Sequence, residues 1–180
     1  MSVIVVEFTT LDGVVEDPDG SGGTASGGWA FRHGPEAVAG DKFRLGPLLE
    51  TGVLLFGRTT WELFAKLWPG RSGEFPDRLN AAAKLVASRT LPDVSAWQNS
   101  VLLRGELADA IVEEERDVVV IGSVGIARQL ARHGLVDEYR LLVFPSVAGE
   151  GRRLFEDAVD FDLVSATQAG PAILSTYRTR

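Results

Sequence analysis

The sequence predicts an α/β fold: a mostly parallel central sheet flanked by helices, with an antiparallel hairpin added at the C-terminus. Three observations predict it. Short runs rich in Val, Ile and Leu alternate with helix-like segments up to Leu135. Those runs are apolar on both faces, as strands covered from both sides must be. Beyond Leu135 the helical pattern stops and three strand-like segments follow, the last two joined by Ala169-Gly170-Pro171.

The strands are expected at Val3–Phe8, Val53–Phe56, Lys84–Ser88, Ser100–Leu103 and Val118–Ile121, then at Glu138–Phe144, Asp162–Gln168 and Ala172–Thr179. Helices are expected at Thr60–Leu67, Pro76–Ala82, Leu107–Glu115 and Ser123–Arg132. The last is the best patterned: Val124, Ala127, Leu130 and Ala131 share one face, Ser123 can cap the start and Gly134 sits where a helix stops. Pro35–Glu50 should be helical too, but Gly46-Pro47 removes an intrahelical bond, so a break or two short helices are expected. Asp17–Trp29 carries five Gly in 13 positions and reads either as a loop able to cover a site or as a variable insertion without fixed structure.

The chain has 180 residues, 45% hydrophobic and 24% charged, the composition of one ordinary globular domain over 1–180. A net charge of −7 argues against a broad nucleic-acid surface, which needs clustered positive charge. With no Cys and only His33 and His133, neither a disulfide framework nor a metal site of the usual His/Cys type is expected. No apolar run reaches the ~18 residues of a membrane span, and the N-terminus has neither a basic leader nor a cleavage signal, so a cytoplasmic protein without a membrane partner is expected.

Four segments end a strand and open a loop or helix, where open α/β sheets bind ligands. In Gly57-Arg58-Thr59-Thr60 the glycine admits close backbone approach, and the arginine and hydroxyls suit phosphate; a helix cap with a solvated Arg explains the string equally well. Ser88-Arg89 could hold the extra phosphate of NADPH, or be a polar strand end. Gly122-Ser123-Val124 opens a helix whose leading N–H groups could face a pyrophosphate, although the string is not the G-x-G-x-x-G fingerprint. Thr10-Leu11-Asp12-Gly13 closes the first strand and would place Asp12 at the ligand edge, or simply make a turn.

In this order, Leu11-Asp12-Gly13, Gly57-Arg58-Thr59-Thr60-Trp61-Glu62, Lys84-Leu85-Val86-Ala87-Ser88 and Ile121-Gly122-Ser123-Val124-Gly125 resemble the RibD C-terminal-domain family, which has the dihydrofolate reductase fold. Leu135-Val136-Asp137-Glu138, then Pro145 and Gly149-Glu150-Gly151, and finally Leu154-Phe155 extend the resemblance over nearly the whole chain. The resemblance implies an NADPH-dependent reductase of the kind that reduces 5-amino-6-(5-phosphoribosylamino)uracil in riboflavin biosynthesis, transferring hydride to a pyrimidine or pterin-like substrate. It implies that Gly57, Arg58 and Thr59 contact cofactor phosphates, that Ser88 and Arg89 hold the 2′-phosphate, and that Gly122, Ser123 and Val124 line the pyrophosphate. Ser123 stands where dihydrofolate reductases have the second Gly of a pair. The zinc deaminase domain of bifunctional members is not expected in a chain of this length without Cys.

Hydride transfer also needs a proton donor. Asp12 at its strand end and Asp41 ahead of the second strand are the candidates, with an exposed helical residue as the plain alternative for Asp41. His33 reads as a loop residue and His133 as a helix-end residue, and neither is taken as the acid. A dihydrofolate reductase, or a non-catalytic nucleotide-binding protein of the same fold, remains an alternative. A homodimer through Glu138–Phe144 and the final hairpin is expected, because such domains commonly pair and two-fold symmetry is the commonest closed assembly.

Overall fold

A computed structural model describes all 180 residues. Its strands are β1 (Val3–Thr9), β2 (Val53–Gly57), β3 (Ala83–Ala87), β4 (Ser100–Leu102), β5 (Val118–Ile121), β6 (Glu138–Val143), β7 (Phe161–Ala169) and β8 (Ala172–Thr179). Its α-helices are α1 (Leu48–Thr51), α2 (Arg58–Leu67), α3 (Glu74–Ala81), α4 (Leu107–Val112) and α5 (Val124–Arg132). The strands make one eight-stranded mixed sheet in the order β4-β3-β2-β5-β1-β6-β8-β7, and the C-terminal hairpin is present. No helix is long and apolar enough to cross a membrane. By packing, the chain divides into two compact units.

The first unit comprises Met1–Val5 and Leu45–Asp137. Here β2 pairs in parallel with both β3 and β5, and β3 with β4. Val53, Leu54, Leu55 and Phe56 are all buried, as are Val118, Val119 and Val120 beside them, because helical crossovers cover both faces of a parallel sheet. Lys84 is the exception to this apolar rule, at 1% exposure. Its ammonium donates to the carbonyls of Asn80 (2.9 Å), Ala82 (2.7 Å) and Gln98 (3.2 Å) and lies 4.4 Å from the centroid of the Trp97 ring. A buried charge needs such partners. Helix α5 ends in a Schellman motif, with Gly134 N–H donating to Ala131 and Leu135 N–H to Leu130.

The second unit comprises Val6–Arg44 and Glu138–Arg180. β8 pairs antiparallel with β6 and β7. Trp29, Leu142, Phe144 and Leu174 are buried together, with Phe8 and Phe43 packed against them. Phe8 lies 5.3 Å from both Phe43 and Phe144, and Trp29 meets Phe144 edge-on at 5.6 Å.

Pro35–Glu50 shows the expected break, with two short helical pieces, Pro35–Ala37 (a 3₁₀ turn) and α1, but the chain between them is not helical and Arg44 and Gly46 adopt positive φ there. Asp41 therefore lies in a turn, not on a helix. The glycine-rich stretch is wrapped around one side chain. Asp17 accepts from Gly22 N–H (2.7 Å), Thr24 N–H (2.9 Å) and Thr24 Oγ1 (2.8 Å), and a Cβ on Gly27 would lie 2.2 Å from its carboxylate. The glycines give this carboxylate room; burial opposes its charge, but these hydrogen bonds prevail and hold the carboxyl below its usual range. Trp29 ends the loop in the core, its indole N–H donating to Glu16 O at 2.9 Å.

Candidate functional site

In the first unit, adjacent parallel strands β2 and β5 each run directly into a helix. Gly57 precedes α2 and Ser123 precedes α5, and neither helix start has a side-chain cap bond. The expected capping role of Ser123 is thus corrected: its Oγ accepts instead from Gly57 N–H at 2.9 Å, while its own N–H donates to Thr60 Oγ1 at 3.2 Å. These two bonds stitch the helix starts together and leave their leading N–H groups uncapped by any side chain. Paired positive dipole ends of this kind favour an anion.

The backbone at this junction explains the residue types. Gly122 has φ +55°, and a Cβ there would come within 3.2 Å of Thr60 Cγ2. Ser123 is also left-handed, at φ 56° and ψ 49°, a conformation glycine tolerates better. The hydroxyl's bond to Gly57 accounts for a serine there. At Gly125, in the first turn of α5, nothing lies within 4 Å of where a Cβ would be, so the helix start has an open side.

Arg58 leans to the end of β3. Its Nη1 donates to Thr90 Oγ1 at 2.8 Å, and its Nε pairs with Glu62 at 3.1 Å. Ser88 Oγ accepts from Thr90 and Leu91 N–H, shaping the turn that carries exposed Arg89. Arg58 and Ser88 thus converge on Thr90, while Gly57, Thr60, Gly122 and Ser123 form the junction. Thr59 is exposed in the first turn of α2 and Val124 half-buried in that of α5.

In the second unit, Asp12 is a fastener. Its carboxylate accepts from Thr10 Oγ1 and from the N–H groups of Ala148 (3.1 Å) and Gly149 (2.8 Å). The bond from Thr10, followed by those from Ala148 and Gly149, holds its carboxyl at about 2, so it stays ionised. Asp41 O accepts from Arg44 N–H at 3.2 Å, and Arg140 fixes the same turn by donating to Phe43 O (3.1 Å) and Arg44 O (2.8 Å).

Sequence reasoning passed over one residue and two pairings. Glu7, in a run of valines, is 5% exposed with no hydrogen-bond partner on Oε1, and burial pushes its carboxyl up to about 8. A lone acid in an apolar strand was the available signal. Arg58–Glu62 has the i,i+4 spacing of a helical ion pair. His33 Nε2 lies 2.7 Å from Ser146 Oγ across 113 residues, a separation that leaves no local signal.

The RibD C-terminal domain profile matches residues 1–175. The chain belongs to the RibD C-terminal domain family. It is 31% identical over 119 residues to the "Uncharacterized protein YyaP" of Bacillus subtilis (strain 168), a match covering 61% of this chain and 62% of that protein. Among solved structures, the "Putative riboflavin biosynthesis protein" of Shewanella sp. PV-4 is similar with a TM-score of 0.76 at 20% identity, over 100% of this chain and 99% of that one. RibD of Acinetobacter baumannii is similar with TM-scores of 0.64 and 0.65 in two forms, at 15% identity. Those matches cover 99% of this chain but 58% of the Acinetobacter protein. At these identities the likeness carries the fold, that of RibD-type proteins and dihydrofolate reductase.

Proposed function

We propose that this member of the RibD C-terminal domain family is an NADPH-dependent reductase acting on a pyrimidine or pterin-like heterocycle, resembling the 5-amino-6-(5-phosphoribosylamino)uracil reductase of riboflavin biosynthesis. The observation that carries the reading is the junction of Gly57, Thr60 and Ser123, where two uncapped helix starts are stitched side by side at the ends of adjacent parallel strands. The residues fit the cofactor: the leading N–H groups of α2 and α5 suit its pyrophosphate, and the open side at Gly125 leaves room for it. Gly57, Arg58 and Thr59 would hold phosphate oxygens from one helix start, and Gly122, Ser123 and Val124 from the other. Ser88 shapes the turn from which Arg89 would meet the 2′-phosphate. Bound there, NADPH supplies the hydride.

Asp12, held ionised, organises the loop after β6 and is unsuited to giving up a proton. We assign the donor's role to Asp41, whose turn is held by Arg140 through the Phe43 and Arg44 carbonyls. Anaerobic assay of NADPH oxidation against a panel of pyrimidine and pterin acceptors tests the reading. Turnover with at least one acceptor, lowered in Asp41→Asn, supports it; inertness towards the whole panel contradicts it. We further infer a homodimer through the hairpin, whose outermost strand β7 exposes Leu163 and Val164, with Ile173 exposed on β8. Light scattering at the monomer mass would contradict this pairing.

A further inference from the structure

We propose that His33 and Ser146 are the substrate-recognition pair, and that they take the polar edge of a planar heterocycle. The inference rests on the reductase reading above and assigns residues that read its ring.

The pair is built before any ligand arrives. His33 Nε2 and Ser146 Oγ are 2.7 Å apart, and both residues are half-buried. The imidazole is backed by Phe144 of the aromatic core, 5.9 Å between ring centroids. Ser146 is fixed from both sides of its own peptide: its carbonyl accepts from Leu11 N–H and its N–H donates to Phe144 O, each at 2.8 Å. After their mutual bond, a hydroxyl and a neutral imidazole retain one donor and two acceptor sites between them. A lactam or amidine edge, which presents an acceptor beside a donor, can use one of each.

The surroundings suit a ring. Ser146 follows β6 and Leu11 follows β1, at strand ends where ligands bind in such sheets. Leu11 (66% exposed), Phe31 (51%) and Val147 (69%) stand within two residues of the pair or of its backbone partner. A few fixed polar atoms beside apolar side chains is the usual composition of a small-molecule site.

The cations near the pair already have partners within the protein. Arg32 donates to Gly27 O at 2.8 Å, Arg152 pairs with Glu16 at 3.5 Å, and Arg153 donates to Asp12 O at 3.1 Å. The Asp12 carboxylate is bound to the N–H groups of Ala148 and Gly149, immediately after Val147.

The chain has only two histidines, so ring-labelled histidine gives a two-residue NMR spectrum, with His133 at the end of α5 as the reference. NADPH is titrated first, by calorimetry, followed by pterin, ribose 5-phosphate and inorganic phosphate in the NMR experiment. Pterin is expected to move the His33 resonances and leave those of His133, and to bind at least tenfold more weakly to His33→Ala and Ser146→Ala. Ser146→Thr, which keeps the hydroxyl, should restore binding. The two phosphates should leave His33 unmoved. The proposal is overturned if pterin leaves His33 unmoved, if ribose 5-phosphate moves it, or if both alanine variants bind pterin like the parent. With NADPH bound, those results leave the reductase reading standing; absence of NADPH binding overturns that reading and this inference together.

Discussion

Replacing Glu7 by Gln should make the protein more stable at neutral pH, and the reason lies in where that acid is held. Glu7 is 5% exposed and its Oε1 has no partner, so burial lifts its carboxyl from 4.5 to about 8. Between those two values the folded protein keeps a proton that the unfolded chain releases. Stability therefore falls as pH rises, by on the order of 1.4 kcal/mol per pH unit. The contribution is fully present below 4.5 and is lost as pH climbs towards about 8. Over the span from 4.5 to 7 the loss is on the order of 3 kcal/mol. Glutamine keeps the shape and stays neutral, so Glu7→Gln removes this slope. Urea unfolding followed by tryptophan fluorescence should find the two proteins close at pH 4 and separating steadily to pH 8, with the variant ahead. Parallel stability curves for parent and variant would refute the reasoning.

At the helix junction, Ser123→Ala removes the acceptor of Gly57 N–H and should cost about 1–3 kcal/mol. Ser123→Gly loses the same bond but relieves left-handed strain of roughly 1–2 kcal/mol, against roughly 0.5–1 kcal/mol of added chain entropy. The glycine variant should thus unfold at higher urea than the alanine variant, and the reverse order would count against the strain. Lys84→Met strands three carbonyls and should cost on the order of 2–4 kcal/mol in the same assay. In the parent, desolvation lowers Lys84 from 10.5 to about 8, so the unfolded chain binds the extra proton between these values and stability should rise with pH there. Asp12→Asn should speed amide exchange at Ala148 and Gly149. In the parent, those amide shifts should titrate near 2 and not near 3.8, because the bonds from Thr10, Ala148 and Gly149 persist until the carboxylate itself is protonated.

The sheet and most helices were legible because periodicity reports burial: Val53–Phe56 and Val118–Ile121 carry no polar interruption, and α5 carries one apolar face. The junction was legible as strings of residues but not as a mechanism. Ser123 reads as a cap from its neighbours alone, and only the proximity of Gly57, 66 residues away, diverts its hydroxyl. In Pro35–Glu50 the break at Gly46-Pro47 was legible, but the loss of helix before it was not. Its helix-forming residues are outweighed by the positive φ of Arg44 and Gly46 and by the hold of Arg140 on the Phe43 and Arg44 carbonyls, a contact 97 residues distant. The glycine-rich stretch suggested freedom, whereas the glycines serve close approach to the Asp17 carboxylate. His33 and Ser146 illustrate the general limit: each is ordinary alone, and their pairing exists only in the fold.

Calorimetric titration with NADPH and NADH, on the parent and on Arg89→Ala, decides whether the helix junction holds a phosphorylated dinucleotide. NADPH is expected to bind more tightly than NADH to the parent, and Arg89→Ala to narrow the gap by about 1–3 kcal/mol, the scale of a hydrogen bond to a charged group. Equal affinities in the parent, or no binding of either nucleotide at millimolar concentration, would contradict it.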